Sequence, residues 1–89
     1  MASISMSPHL QTHVGITPGE VRGDTVREAL ESLFTEHPRL RSYLLDDRGA
    51  VRKHVAVFVN GESVKDRATL SDPLPPDGEI FLMQALSGG

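Results

Sequence analysis

The stretch Val55-Ala56-Val57-Phe58-Val59-Asn60-Gly61 decides how this 89-residue chain folds. Its valines recur at the two-residue period of a β-strand, and β-branched residues favour that structure. Asn60-Gly61 tolerates the positive φ angles of a tight turn, so the strand should reverse into a short partner at residues 62–64. The stretch therefore predicts a β-hairpin.

A helix is predicted on the amino-terminal side of this hairpin. Thr25 and Glu28 have the spacing of a capping box, which satisfies backbone N–H groups at a helix start. One apolar stripe follows at helical spacing: Val26, Ala29, Leu30, Leu33 and Phe34. Pro38 disfavours helical geometry at His37, so the helix should end there. The apolar spacing within residues 40–44 predicts one further short helical turn.

Strands are predicted at both ends of the chain. Residues 4–7 and 20–22 form a first strand and a short returning strand, and residues 9–18 between them read as a loop or a single irregular turn. A proline-rich turn precedes the last strand, residues 79–84. In this order of elements, the single long helix must cover one face of one sheet.

The second face of the sheet is predicted to carry an apolar patch. If the hairpin valines face the helix, Ala56 and Phe58 face outward, and Phe81 and Met83 do the same in the last strand. We call these four residues the outer-face patch. Exposed apolar patches usually mark partner sites, and methionine suits an adaptable surface. The alternative is that residues 9–18 fold over the patch and bury it.

Composition excludes several classes of function. The chain has no cysteine, which excludes disulfides, thiolate metal sites and a cysteine nucleophile. The formal net charge of −3, with both signs interspersed, disfavours a general nucleic-acid role. No apolar stretch reaches transmembrane length and Met1-Ala2-Ser3-Ile4 has no signal pattern, so a cytoplasmic location is expected. Residues 39–54 have a basic bias, which suits either an acidic or phosphorylated partner or an ordinary solvated face.

Other candidate sites have simpler interpretations. His9 and His13 have i, i+4 spacing but no evident third ligand, so they are expected to be solvated and no metal site is predicted. Asp46-Asp47 suits a turn better than an acid–base pair, and the serines lack visible catalytic partners. No glycine-rich phosphate loop opens a helix, so the chain is expected to bind no cofactor and ATP should belong to a partner.

The chain ends in Leu86-Ser87-Gly88-Gly89. Two glycines give a thin, extended tail, and ordering such a tail adds no stability to a domain. The tail makes sense if another protein threads it into a narrow active site and reacts with its carboxylate. The alternative is an ordinary frayed end.

The chain resembles the MoaD/ThiS family of sulfur-carrier proteins, which are ubiquitin-like domains of the β-grasp fold. The likeness rests on residues 23–30 at the helix start, 44–46 after the helix, the hairpin of residues 55–62, residues 76–80, and the terminal Ser87-Gly88-Gly89. It implies an α+β fold in which one main helix packs on one face of a mixed sheet. The domain would span residues 1–86, and residues 87–89 would form a flexible tail.

The resemblance also implies the chemistry. A ubiquitin-activating-type adenylyltransferase would use ATP to adenylate Gly89, sulfur from a donor would give a thiocarboxylate, and a sulfur-accepting synthase would consume it. The chain would be a carrier without catalytic residues. The implied site residues are Gly89 for modification, Gly88 and Ser87 for threading, and Ala56, Phe58, Phe81, Met83 and Leu86 for partner binding. Chain length favours the molybdopterin branch over thiamine, with cysteine synthesis an alternative. A ubiquitin-like modifier and an interaction module with an inert tail are the other hypotheses.

Overall fold

The computed structural model describes residues 2–15 and 19–84. Three helices and five strands lie within these ranges. In chain order they are β1 Ala2–Met6, α1 Pro8–Val14, β2 Glu20–Val21, α2 Val26–Glu36, α3 Pro38–Leu44, β3 Val55–Val59, β4 Glu62–Ser63 and β5 Glu79–Gln84.

The strands form one mixed sheet with the order β2-β1-β5-β3-β4. β5 lies at its centre, parallel to β1 and antiparallel to β3. The remaining pairs, β1 with β2 and β3 with β4, are antiparallel. The predicted α+β fold with a mixed sheet is confirmed, and both terminal strands of the described chain pair side by side.

Helix α2 begins and ends where the sequence predicts. The Thr25 hydroxyl accepts a hydrogen bond from the Glu28 N–H at 3.2 Å, and the Glu28 carboxylate accepts one from the Asp24 N–H at 2.9 Å. These bonds satisfy backbone donors at the helix start. The helix ends at Glu36, and Pro38 begins α3 directly afterwards. All five residues of the predicted apolar stripe are buried.

The chain enters α2 in close contact with its first turn, and this contact requires a glycine. A Cβ atom on Gly23 would lie 2.6 Å from the backbone nitrogen of Ala29 and 2.8 Å from the Cβ of Glu28. Both neighbours belong to the helix and the nearer atom is backbone, so neither can move away easily. Gly23 therefore sets how closely the incoming chain packs on α2.

The predicted hairpin is confirmed. Asn60 has a φ of 51° and Gly61 a φ of 86°, the positive values that this kind of turn requires. The turn is also tied to the central strand. The Asn60 N–H donates to the Glu79 carbonyl at 2.8 Å, and the Glu79 N–H donates to Asn60 Oδ1 at 2.9 Å.

The core lies between the sheet and the helices. Val55 and Val57 of β3 and Ile80 and Leu82 of β5 are at most 1% exposed. They form one hydrophobic cluster with the apolar residues of α2 and α3. Val59 is only partly buried and packs against the edge of this cluster.

The region predicted as a loop or irregular turn contains helix α1. The Ser7 hydroxyl accepts a hydrogen bond from the Leu10 N–H at 3.4 Å, Pro8 occupies the first turn, and Gly15 ends the helix with a φ of 71°. Leu10 is fully buried in the core cluster. The prediction of a loop over residues 9–14 was wrong because these local capping signals outweigh the weak apolar pattern.

Candidate functional site

The outer-face patch lies on adjacent strands of the sheet. Strand pairing places Phe58 opposite Phe81, and Ala56 opposite Met83. Because directly opposite residues of paired strands project from the same face, the four side chains share one surface. That surface is the side of β3 and β5 away from the core valines and from Ile80 and Leu82.

The patch is partly exposed and none of its residues belongs to the buried core. Ser5 of β1 pairs with Phe81, and Ser63 of β4 pairs with Phe58, so small hydroxyl side chains flank the aromatic pair on both sides. Helix α1 directs Leu10 into the core and leaves the patch accessible. The alternative in which residues 9–18 bury the patch is therefore wrong for the described part of that segment.

A small polar cluster lies at the carboxyl end of β5. The Tyr43 hydroxyl of α3 is 3.3 Å from Gln84 Oε1 and donates a hydrogen bond to it. The Tyr43 ring also meets the His54 ring edge to face, with centroids 5.6 Å apart and an interplanar angle of 81°. Gln84, the last residue of β5, is thus held by α3, and Tyr43 in turn contacts the loop before β3.

The predicted tail residues lie outside the described residues. This holds for Leu86, Ser87, Gly88 and Gly89, and for the division of the chain at residues 86 and 87. Their roles in partner binding, threading and modification remain predictions. Gln84 is the described residue nearest to them, five positions before Gly89.

Arg27 fixes two loops to helix α2. Its Nε donates to the Thr69 carbonyl at 2.6 Å, and its Nη2 donates to the Gly49 carbonyl at 2.7 Å. Nη1 lies 3.2 Å from Glu31 Oε2 one turn along the helix. Hydrogen bonds from a charged donor are stronger than neutral ones, so the Arg27 side chain stabilises the position of the two loops on α2.

Two carboxylates organise loops through local hydrogen bonds. The hydroxyl groups of Ser71 and Thr69 donate to Asp66, and so do the backbone N–H groups of the same two residues. These bonds stabilise the charged form and hold the pKa of Asp66 far below its usual range, with the Ser71 hydroxyl contributing most. The backbone N–H groups of Arg48 and Ala50 likewise lower the pKa of Asp46. Asp46 is thus a turn residue, as predicted.

The basic side chains of the middle segment differ in their contacts. Arg41 forms an ion pair with Glu31, and its Cζ lies 5.6 Å from the centroid of the Phe34 ring. Arg52 Nε donates to the Ser42 carbonyl at 2.8 Å. Arg39 is exposed at the start of α3. Arg41 and Arg52 of the basic segment therefore make contacts within the fold, whereas Arg39 faces solvent.

Residues 2–15 and 19–84 contain no cluster of three or more His, Cys, Asp or Glu side chains arranged to bind a metal ion. His9 is exposed on α1, the helix that also contains His13. Within the same ranges, no helix combines the length and the apolar character needed to cross a bilayer.

Sequence reasoning missed the contact between Tyr43 and Gln84. The two residues are 41 positions apart, and Tyr43 was assigned only to the apolar spacing of α3. No local sequence pattern predicts a hydrogen bond between residues so far apart in the chain. It joins α3 to the end of the central strand and depends on how the distant parts of the chain come together.

Known proteins are similar to this chain in sequence and in architecture. The ThiS family model matches residues 16–89. Small archaeal modifier protein 1 of Haloferax volcanii is 37% identical over 71 residues, which cover 79% of this chain and 77% of that protein. The crystal structure of SAMP1 from the same organism has a TM-score of 0.75 and 30% identity, and covers 99% of this chain and 98% of that one.

A more distant structure shares the fold. It is the BexX/CysO complex of Amycolatopsis orientalis, with a TM-score of 0.81 and 23% identity over the full length of both chains. These neighbours confirm the predicted ubiquitin-like β-grasp architecture. The family match spans most of the sequence, including the hairpin, the central strand and the diglycine. The chain belongs to the ThiS family of ubiquitin-like proteins, the MoaD/ThiS group that its sequence resembles.

Proposed function

We propose that this protein is a sulfur carrier that is adenylated and then thiocarboxylated at Gly89. One observation carries the proposal: the ThiS family match covers residues 16–89 and therefore includes Gly88 and Gly89. In this proposal the chain is a protein co-substrate and binds no cofactor itself. ATP is used by a ubiquitin-activating-type adenylyltransferase, and we place the reaction in the cytoplasm.

The proposed chemistry needs only the terminal carboxylate of the carrier. A carboxylate is unreactive toward nucleophiles, and its attack on the α-phosphorus of ATP releases pyrophosphate and forms an acyl adenylate. Hydrosulfide supplied by the donor then attacks the carbonyl carbon, the C–S bond forms as the C–O bond to AMP breaks, and loss of the sulfur-bound proton leaves the thiocarboxylate. The absence of cysteine fits this route, because the carried sulfur sits on the terminal carbonyl and no side-chain thiol is needed.

The outer-face patch supports the proposal as a docking surface. Phe58 on β3, with Phe81 and Met83 on β5, forms a partly exposed apolar surface, and β5 is the strand that leads toward the carboxyl terminus. A partner that binds this surface would hold the tail close to its own active site, which raises the effective concentration of the carboxylate there. The structure from A. orientalis is a BexX/CysO complex, so a protein of this fold has been observed bound to another.

Intact-mass measurement tests the proposal. The purified chain is incubated with ATP, a sulfur donor and the adenylyltransferase encoded in the same genome. We expect the mass to rise by the difference between sulfur and oxygen, and fragmentation should place the change at Gly89. A chain lacking Gly88 and Gly89 serves as the control and should not gain this mass. If a competent adenylyltransferase leaves the full chain unmodified, the proposal is wrong.

A second candidate function is that of a protein modifier. It is favoured by the 37% identity to small archaeal modifier protein 1. Both functions begin with adenylation, but a modifier transfers the Gly89 carbonyl to a lysine Nζ and forms an isopeptide bond. Digestion of conjugates followed by mass spectrometry would detect the carboxyl-terminal peptide of this chain on target lysines. Detection of the thiocarboxylate without any conjugates would support the carrier function and exclude the modifier function.

The acceptor that we propose is a synthase of the molybdopterin type, with cysteine, thiamine or another sulfur-containing metabolite as alternatives. The thiocarboxylated chain can be offered separately to each candidate synthase of the same genome. The true acceptor should release the carrier with its ordinary carboxylate and form the sulfur-containing product in equal amount. Single-turnover measurement of both species distinguishes transfer from spontaneous hydrolysis, which yields no product.

A further inference from the structure

Charge is unevenly distributed along this chain. Residues 37–54 contain five Lys or Arg and two Asp, a formal charge of +3. The whole chain has a formal charge of −3, so the rest of the sequence carries −6. A basic segment thus interrupts an otherwise acidic protein.

The fold places basic residues of this segment at the carboxyl end of the central strand. Val55 pairs with Gln84, so Arg52 and Lys53 lie just before the β3 residue that faces the end of β5. Arg39 precedes Tyr43 by four residues on α3 and therefore shares its side of the helix. We call Arg39, Arg52 and Lys53 the basic end.

Acidic residues collect at the opposite end of the same strand. Glu79 begins β5. Ser3 of β1 pairs with both Glu79 and Glu20 of β2, so the two glutamates lie at the same level of the sheet. Glu62 lies beyond the adjoining hairpin turn and Asp77 just before the strand, and all four acidic side chains belong to exposed residues. At a rise of about 3.3 Å per residue, the six residues of β5 separate the two ends by about 17 Å.

The outermost cations of the basic end are available to a partner. Arg39 and Lys53 are exposed, and their side chains form no ion pair or hydrogen bond with the described part of the chain. Arg52 is half-buried and its guanidinium is partly occupied by the Ser42 carbonyl. Because Arg39 and Lys53 make no such contact, substituting them should disturb no interaction within the described residues.

We propose that the basic end docks on an acidic rim around the adenylation cleft of the activating enzyme. The inference rests on the proposed function. Complementary charge speeds encounter and sets orientation, and the acidic end of β5 would be repelled by the same rim. The charge asymmetry therefore brings the protein to its partner with the carboxyl end of β5 leading, before the outer-face patch makes contact.

Charge reversal with a matched control tests this inference. Arg39→Glu and Lys53→Glu remove a cation at the basic end. Arg22→Glu makes the same change in net charge at an exposed residue that follows β2 near the acidic end, and its side chain has no bond to the described residues. The adenylyltransferase of the same genome is assayed by ATP-dependent pyrophosphate release, with each variant as the varied substrate and thermal unfolding as a check on folding.

We expect Arg39→Glu and Lys53→Glu each to raise KM about tenfold at low salt, with kcat nearly unchanged and the difference reduced at high salt. Arg22→Glu should leave KM near the original value. Equal effects of all three variants, or no effect of the basic-end pair, would overturn the inference while leaving adenylation intact. If the original chain releases no pyrophosphate, the proposed function fails and this inference fails with it. Should a charge-reversed variant unfold, Arg39→Gln and Lys53→Gln replace it, with smaller KM increases expected.

Discussion

Leu82 and Met83 are neighbours in β5 whose side chains project from opposite faces of the sheet. Leu82 is 0% exposed in the core, whereas Met83 belongs to the outer-face patch and is partly exposed. The same substitution at both positions therefore separates folding from docking. We expect Leu82→Ala to destabilise the domain strongly and Met83→Ala to affect mainly the reaction with the partner.

The magnitudes follow from burial. Truncating a buried leucine removes its transfer free energy and leaves a cavity, so Leu82→Ala should lower the free energy of unfolding by about 3 kcal/mol. In a domain of this size, that change lowers Tm by about 12 to 24 °C. Met83 already contacts solvent, so Met83→Ala should cost less than about 1 kcal/mol.

Urea denaturation followed by far-UV circular dichroism measures both values, since the chain has no tryptophan to report unfolding by fluorescence. Adenylation and sulfur transfer are then assayed at a temperature where both variants are folded. Met83→Ala should raise KM for the partner several-fold, which is the weakening expected when one interfacial side chain is truncated. If the two variants lose equal stability, the outer face is core and the two-faced description of β5 is refuted.

Three further predictions test other parts of the molecule. Arg27→Met should lower the free energy of unfolding by about 1 to 3 kcal/mol, because two carbonyl groups lose a charged donor; urea midpoints measure it, and an unchanged midpoint would contradict the role given to this side chain. The hydrogen bonds that depress the pKa of Asp66 stabilise the fold above the usual aspartate pKa of about 4, and this stability is lost as the pH falls toward the lower pKa of the folded state. Asp66→Asn should therefore unfold at a lower urea concentration than the original chain at pH 7 and lose less stability on acidification, and equal losses in the two proteins would contradict this role of Asp66. Deletion of Gly88 and Gly89 should abolish thiocarboxylation with almost no change in Tm, and a large fall in Tm would show that the tail is structural.

The elements with complete local signals could be predicted from the sequence. Helix α2 has a capping residue, an apolar stripe and a proline beyond its end, and each feature appears in the structure where expected. The hairpin at Asn60-Gly61 and the last strand were predicted equally well. The outer-face patch followed from strand period alone, since alternate residues must project from opposite faces.

Helix α1 shows why other elements escaped prediction. It has seven residues, too few for an apolar stripe to repeat, and Leu10 is its only residue established in the core. Ser7, Pro8 and Gly15 do mark its two ends, but such residues are equally common in loops. The position of the basic end relative to Gln84 could not be predicted for another reason. Strand pairing and the contact between α3 and β5 join residues that are distant in sequence.

The central position of β5 has a consequence for biosynthesis. This strand joins β1 with β2 on one side to β3 with β4 on the other, and its backbone bridges the two pairs. A nascent chain that has not yet released residues 79–84 from the ribosome holds two hairpin-like halves that cannot form one sheet. The complete sheet can therefore form only after residues 79–84 have left the ribosome, so this strand sets the earliest point in synthesis at which the domain can close.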